Sequence, residues 1–335
     1  MDKHKVYLLE SKYHGSNQQL KSVAKEIFGY HEIVPLEVEL RSRSKIFQPI
    51  YWLALEFLRC ISPYGLVSHC IKRLLLKGYD CSSHELYEGD VILSKTPPFE
   101  YPSAILKAGG NAKSYHIGEP RRVKRKCFDY VISTPSSPTE KPDISLDVLP
   151  TEMSFENFIK IRDAYSCRKY YLMLIGGAAR GFNYKKSDWE YLIDFIKEHD
   201  EVDWVVSTSP RTGNKVEMFI KERLEGSLHV KELVLWGMGK RKNIFDCLSG
   251  AEVVLVTEDS ASMLSDAINC RIPTVSIRPS RSEFNNLTTP FARFHEERKR
   301  IVRVETSRIS NFPVKYWAHH EFRPIEYCWT ESWRT

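Results

Sequence analysis

The sequence lacks the motifs that would indicate a metal-binding or disulfide-stabilised protein. Its eight cysteines include no Cys-x-x-Cys pair and no histidines at zinc-finger spacing, which argues against a structural metal site. It also has no Asp-x-Asp motif that would suggest a bound divalent cation. Scattered cysteines in a chain of this size are typical of reduced core residues in a cytosolic protein.

Long hydrophobic runs and a strong charge of one sign are absent too. No apolar segment approaches the roughly 20 residues that cross a bilayer, and the start, Met1–Lys5, leads into a strand without a signal-like stretch. We therefore expect a cytoplasmic protein. Lys and Arg exceed Asp and Glu by only 49 to 43, and no recognition motif accompanies the basic run Arg121–Lys126, so nucleic acid is not an expected partner.

What the sequence does contain is a repeated alternation of short apolar runs with helical patterns, which predicts an α/β fold with parallel sheets. The predicted strands are Val6–Leu9, Glu32–Leu36, Asp90–Leu93, Ala112–Ile117 and Tyr130–Ser133 in the first half, and Tyr171–Ile175, Asp203–Ser207, Lys231–Leu235, Val253–Val256 and Thr274–Ile277 in the second.

The length of 335 residues suits two domains. Three prolines between Thr134 and Asp143 interrupt regular structure, so we predict an N-terminal domain over residues 1–150 and a C-terminal domain over residues 151–310, with a cleft between them. Residues 311–335 are rich in aromatics, which anchor a return to the first domain or form a surface for a partner.

The segment Ile46–Tyr79 is dense in large apolar residues and carries Lys72, Arg73 and Lys77. Two interpretations stay open. It forms a buried helix pair of the first domain, which is the commoner use of apolar helices, or an interfacial helix that makes peripheral contact with the inner membrane.

Three strand ends in the second half are rich in small and polar residues. The turn after Val253–Val256 opens a helix whose free N–H groups would face an anion; the plain alternative is that its Asp and Ser only cap the helix. Because ligands gather at the carboxyl ends of parallel strands, we expect the three ends to form one site. The site suits the diphosphate or ribose of a nucleotide-linked donor substrate, and we call it the donor site. The candidate donor-binding residues are Gly176, Gly177, Arg180, Thr208, Ser209, Arg211, Thr257, Glu258, Asp259, Ser260, Ser262 and Met263.

The first half contains candidate residues for the acceptor side, where the substrate that receives the transferred group would bind. A general base that deprotonates an acceptor hydroxyl must be a titratable side chain, and the candidates are Glu119, His116 and His14. A lone histidine is, however, often an ordinary hydrogen-bonded side chain. Gly15, Asn17, Gln18 and Arg121 are the other expected acceptor-side residues, the first three lying in a loop, residues 11–19, before a helix over Leu20–Phe28.

Six motifs occur in an order that resembles one known family. They are Gly15-Ser16-Asn17-Gln18-Gln19; His116-Ile117-Gly118-Glu119-Pro120-Arg121 with Phe128-Asp129-Tyr130-Val131-Ile132; Ile175-Gly176-Gly177-Ala178-Ala179-Arg180; Ser207-Thr208-Ser209-Pro210-Arg211-Thr212; Trp236-Gly237; and Thr257-Glu258-Asp259-Ser260-Ala261-Ser262-Met263-Leu264-Ser265-Asp266-Ala267. The chain resembles the family named for plant mitochondrial-fission ("elongated mitochondria") proteins, whose bacterial members are described as glycosyltransferases. It departs from the family at Glu119, where an aspartate is usual.

The resemblance implies a GT-B-like fold, with two Rossmann-like domains whose parallel sheets face a cleft. It also implies a glycosyltransferase that takes a nucleotide-sugar as co-substrate and for which we expect no cofactor. The lack of an Asp-x-Asp motif favours a metal-independent reaction. The expected acceptor is a glycolipid or core oligosaccharide of bacterial lipopolysaccharide, lipooligosaccharide or capsule assembly. Fold alone does not prove function, so a non-catalytic membrane-associated adaptor is the alternative, and a nucleotide-sugar epimerase is a third hypothesis.

Overall fold

A computed structural model describes fourteen stretches of the chain and divides it into two compact units after Glu152. The described residues are 4–10, 14–29, 32–37, 53–54, 57, 66–76, 86–95, 99–108, 111–134, 143–148, 155–164, 169–179, 181–281 and 288–317. Each unit contains its own parallel sheet. The predicted return of residues 311–335 falls largely outside the described residues and stays a prediction.

The first unit is built on a six-stranded sheet in the order β2-β1-β3-β4-β5-β6, and every strand pair is parallel. The strands are β1 (Lys5–Glu10), β2 (Glu32–Glu37), β3 (Val91–Lys95), β4 (Lys113–Ile117), β5 (Tyr130–Ser133) and β6 (Ile144–Ser145); the helices are α1 (His14–Phe28), α2 (Leu66–Leu76) and α3 (Glu100–Lys107), with a 3₁₀ turn at Arg125–Cys127. The central strands are apolar on both faces because helices cover a parallel sheet from both sides, and Leu9, Ile92 and Ile105 lie in the core.

The second unit has six parallel strands in the order β12-β11-β10-β7-β8-β9. The strands are β7 (Tyr170–Ile175), β8 (Trp204–Thr208), β9 (Val230–Val234), β10 (Ala251–Thr257), β11 (Thr274–Arg278) and β12 (Ile301–Glu305); the helices are α4 (Phe155–Ala164), α5 (Lys186–Glu198), α6 (Asn214–Leu224), α7 (Ile244–Leu248), α8 (Ala261–Asn269), α9 (Thr288–Glu297) and α10 (Val314–Trp317), with 3₁₀ turns at Trp236–Met238 and Thr306–Asn311. Phe195, Trp204 and Leu255 lie in its core.

The predicted α/β class is confirmed, and each of the ten predicted strands is present with ends shifted by at most two residues. Two strands were not predicted. Strand β6 has only two residues, and β12 alternates apolar residues with Arg303 and Glu305, so neither contains the continuous apolar run that marks a buried strand.

Two local predictions are wrong. Helix α1 begins at His14, so residues 14–19 are helical rather than a loop. Asn17 and Leu20 are three residues apart and both buried, so they share the face of the helix that packs on the sheet. The helix therefore extends through the polar residues that were predicted to be a loop. Cys247 and Cys270 are buried as expected, but Cys70 is exposed. It shares a side of α2 with Leu74, four residues on, which is also exposed.

Only a part of Ile46–Tyr79 lies within the described residues. Helix α2 places Leu75 and Leu76 in the core and leaves Leu74 exposed, while Leu53 and Phe57 are exposed at 63% and 51%. The segment is therefore neither wholly buried nor wholly at the surface. Among the described helices, none has the length and apolar character needed to cross a membrane.

Candidate functional site

The strand order of the second sheet identifies where a ligand would bind. The chain runs from β7 outward through β8 to β9, and then returns to the other side of β7 for β10, β11 and β12. In open parallel sheets, ligands bind at the carboxyl ends of the strands on either side of such a reversal. The turns that follow β7, β8 and β10, which we call the three turns, lie at this position.

Hydrogen bonds join the three turns at Gly176. Its N–H donates to the Thr257 hydroxyl (2.7 Å), and its carbonyl accepts from the hydroxyls of Ser209 (2.5 Å) and Thr212 (2.6 Å). The Thr212 hydroxyl also accepts the Ser209 N–H at 3.0 Å. The expected convergence of three strand ends is therefore present in the second unit.

Close packing explains why two glycines stand at the end of β7. A Cβ at Gly176 would collide with the carboxylate of Asp259, and a Cβ at Gly177 would collide with the backbone of Arg211. Gly177 also has a φ of +140°, which other residues rarely adopt. These glycines allow the backbones of neighbouring turns to meet.

Asp259 and Arg211 form an ion pair above Gly176. The Nη2 of Arg211 lies 3.0 Å from Oδ2 of Asp259, whose side chain is fully buried, whereas the Arg211 side chain is 44% exposed. Burial raises the pKa of the Asp259 carboxyl, and the Thr257 hydroxyl and the Arg211 guanidinium only partly offset that effect. Arg211 thus combines contact with a buried acid and access to solvent.

Glu258 is buried and bound to a partner that the sequence did not reveal. Its carboxylate accepts two hydrogen bonds from Arg303, at 2.8 Å and 2.7 Å, and one from the Ser276 hydroxyl at 3.1 Å. Arg303 is a charged residue between the apolar residues Val302 and Val304 of β12, a pattern that indicates a buried anion nearby. The structure shows Glu258 holding β10 to β12; its expected role as a donor-binding residue stays a prediction.

The turn after β10 leads into α8, whose cap is Ser260 rather than Asp259. The Ser260 hydroxyl accepts the Met263 N–H at 3.5 Å, a long hydrogen bond. Ser262 is exposed in the first turn of the helix and lies 3.3 Å from Ser260 between hydroxyl oxygens. The first turn of α8 therefore presents small polar groups and helix N–H groups beside Asp259.

Thr208 belongs to a buried network behind the turn after β8. Its hydroxyl donates to Glu217 at 2.6 Å and accepts the Trp236 N–H at 2.9 Å, and Glu217 also accepts the Gly237 N–H at 3.0 Å. Glu217 was not predicted. A fully buried acid requires hydrogen-bond donors around it, but the burial of Glu217 is visible only in the structure. The network fixes the Trp236-Gly237 motif to β8.

His116 in the first unit is a core side chain. It is fully buried, its Nδ1 lies 2.8 Å from the Ser94 hydroxyl, and its ring stacks on Phe128 at 4.6 Å between centroids. Burial lowers the pKa of His116 to about 3, so the imidazole is neutral at physiological pH. A general base must reach the proton that it removes, and the buried ring of His116 is out of contact with solvent.

The loop after β4 is anchored by an acid that was not predicted. The buried carboxylate of Glu100 accepts the backbone N–H groups of Arg121 (3.0 Å), Arg122 (2.5 Å) and Val123 (3.2 Å). This contact leaves the Arg121 side chain exposed. Glu119 is half-buried, and its carboxylate lies 3.7 Å from the Arg125 guanidinium.

Several predicted residues are described only in part. His14, Gly15 and Gln18 lie in the first turns of α1, but their side chains are outside the described part, and Arg180 is also outside it. Within the described residues, no group of three or more His, Cys, Asp or Glu side chains could hold a metal ion.

A known family matches most of the second unit. The model of the family described as mitochondrial fission ELM1 matches residues 154–323. The chain belongs to the mitochondrial fission ELM1 family. The matched part of this ELM1-family chain includes all of the three turns, whereas a search of the curated proteins gives no match.

Solved structures show the fold of this ELM1-family chain. A UDP-GlcNAc 2-epimerase from Methanocaldococcus jannaschii matches with a TM-score of 0.54 at 13% identity, over 96% of this chain and 95% of that chain. The enzyme of the same name from Neisseria meningitidis, bound to UDP-GlcNAc, matches with a TM-score of 0.53 at 10% identity, over 95% of both chains. The glycotransferase of kitacinnamycin matches with a TM-score of 0.53 at 9% identity, over 96% of this chain and 92% of that chain. The chain has the α/β units of the GT-B fold.

Proposed function

We propose that this chain is a glycosyltransferase whose second unit binds a nucleotide-sugar donor at the three turns. The observation that carries the proposal is the junction at Gly176, where β7, β8 and β10 end together at the reversal of the sheet. Such a position suits a diphosphate, because glycine backbone, helix N–H groups and a guanidinium lie side by side.

The proposal assigns distinct roles to the donor-side residues. Arg211 is half-exposed beside the first turn of α8, so it pairs with a donor phosphate while Asp259 holds its orientation. Gly176 and Gly177 permit close approach of the phosphates, and Arg180 stays a proposed phosphate ligand. The remaining candidates stabilise the turns or line the helix start: Thr208, Ser209, Thr257, Glu258, Ser260, Ser262 and Met263.

The acceptor that we propose is a lipid-linked or core oligosaccharide of bacterial lipopolysaccharide, lipooligosaccharide or capsule assembly, bound by the first unit. Glu119 and His14 are the proposed bases, since the third candidate, His116, is fully buried. Gly15, Asn17, Gln18 and Arg121 complete the proposed acceptor side. The transfer that we propose uses neither a metal ion nor a cofactor.

Epimerisation of a nucleotide-sugar is the second candidate. Two of the similar structures are UDP-GlcNAc 2-epimerases, one of them bound to UDP-GlcNAc. The same three turns would hold a nucleotide in either reaction, so the fold does not choose between them.

A thermal-shift panel of UDP, GDP, CMP and ADP sugars tests the donor site. One nucleotide series should raise the melting temperature, because a ligand at 100 times its dissociation constant adds about 2.7 kcal/mol of stability. To keep Asp259 from being left as an unpaired buried charge, Arg211→Ala is compared with its parent in an Asp259→Asn background. Arg211→Ala should weaken binding by at least about tenfold, and Arg308→Ala, at a site that is 80% exposed, should not.

Failure of every nucleotide to stabilise the wild-type chain at millimolar concentration would contradict the donor site and favour an adaptor. Conversion of the sugar with no acceptor present would favour the epimerase. Sugar transfer only when an oligosaccharide is added would support the glycosyltransferase.

A further inference from the structure

The first sheet has its own reversal of strand order, and a lysine lies there. The order β2-β1-β3 means that the chain leaves β1 on one side for β2 and on the other for β3. Lys95 is the last residue of β3, so it stands at the carboxyl end of a strand next to the reversal. Its ammonium donates a hydrogen bond to the side-chain oxygen of Gln19 on α1.

Among the residues that the structure describes, Lys95 has no negative partner. Within the described stretches no Asp or Glu pairs with it, and its hydrogen-bond partner, Gln19, is neutral. The first turn of α1 contains no acidic residue, and Glu10, at the end of the neighbouring strand β1, is paired with Lys21 at 3.1 Å. Burial lowers the pKa of Lys95 to about 8, which is the effect of removing a cation from water without supplying an anion.

Two buried polar residues, Ser94 of β3 and His116 of the adjacent β4, do not supply that anion either. Ser94 is buried and engaged with His116, and burial keeps His116 neutral. A half-buried cation without a counter-ion is energetically unfavourable. Groups whose pKa is strongly shifted by burial are concentrated at functional sites.

We propose that Lys95 binds an anionic group of the acceptor, namely a phosphate or carboxylate carried by a saccharide. An ammonium has three N–H donors, and Gln19 takes one of them, so two remain for anion oxygens. That this saccharide is the acceptor of a transfer rests on the glycosyltransferase function proposed above. The anion site itself depends only on the first unit.

A purely structural role for Lys95 would be to fasten α1 to β3 through Gln19. Gln19→Glu separates the two roles. The new carboxylate would pair with Lys95 inside the protein, which keeps or strengthens the fastening but removes the charge that the ligand requires. A structural lysine would leave ligand binding unchanged in this variant.

Competitive acylation of the full chain, read by mass spectrometry at each lysine, tests the site without an activity assay. The probes are glucose 1-phosphate, glucuronate, neutral glucose and UDP. Either anionic saccharide, at ten times its dissociation constant, should slow acylation of Lys95 about tenfold by mass action, and glucose should not. Lys25, exposed on the same helix α1, should react equally in all samples. Which anionic saccharide protects distinguishes phosphate from carboxylate.

In Gln19→Glu, protection of Lys95 should be lost while the melting temperature is unchanged or higher. The proposal is overturned if neither anionic saccharide protects Lys95 at tens of millimolar, if glucose protects equally, if UDP alone protects, or if Gln19→Glu retains full protection. A nucleotide-sugar thermal shift in the same sample shows whether the donor site is intact, so the two proposals fail separately.

Discussion

Gly176 is the residue at which the three turns meet, and its lack of a side chain is a testable requirement. Gly176→Ala would push a methyl group into the Asp259 carboxylate, and overpacking of this kind costs about 1–3 kcal/mol. Urea denaturation should show this loss together with weaker nucleotide binding. Gly226→Asn is the control, since Gly226 has a φ of +85° with open space around it and Asn tolerates that conformation. Equal stability of Gly176→Ala and wild type would show that the turns are not packed as described.

The Glu258–Arg303 pair tests whether Glu258 is needed for the fold. Arg303→Met should destabilise the protein by about 3–5 kcal/mol, because it leaves a buried carboxylate without its cation. The double variant Glu258→Gln with Arg303→Met should recover a large part of that loss. Chemical denaturation of the two single variants and the double variant measures the coupling. Additive losses would mean that the two side chains do not form the buried pair.

At the scale of elements, helix α8 contains an acid that makes stability depend on pH. Burial raises the pKa of Asp266 to about 7, well above the ordinary value of an aspartate. The folded state therefore holds a proton that the unfolded state has lost, so the contribution of Asp266 to stability is fully present below about pH 4 and declines as pH rises to about 7.

Asp266→Asn removes this dependence. The stability of wild type relative to Asp266→Asn should fall by about 2–4 kcal/mol between pH 4 and pH 8, at about 1.4 kcal/mol for each unit of pKa shift. Urea denaturation across that range measures the difference. Asp194→Asn, at an exposed position of α5, should follow the wild-type curve. A constant difference between wild type and Asp266→Asn would contradict the raised pKa.

Strands were predictable from the sequence because a buried parallel strand is a continuous apolar run, as in Val253–Val256. The candidate donor site followed, since strand ends in one sheet share an edge. The partners of charged residues were not predictable: Glu258 and Arg303 are 45 residues apart, and the motif alone did not show that His116 would be buried. Lys95 was not predicted either, because only the structure shows that no Asp or Glu of the described residues pairs with it.

At the scale of the whole molecule, each unit has its own parallel sheet, and the strand orders of the two sheets differ. The family match over residues 154–323 covers the unit that contains the three turns. The first unit, by contrast, carries the proposed acceptor residues and Lys95. The fold is shared by epimerases and a glycotransferase, so the chemistry depends on these sites rather than on the architecture.

Hydrogen–deuterium exchange with and without the nucleotide that gives the largest thermal shift tests the donor site most directly. The account predicts slower exchange in peptides covering residues 174–181, 207–214 and 257–265, the three turns, with no change in the edge strand Val230–Val234. Slower exchange confined to the first unit, or no change in any of the three peptides at saturating nucleotide, would contradict it.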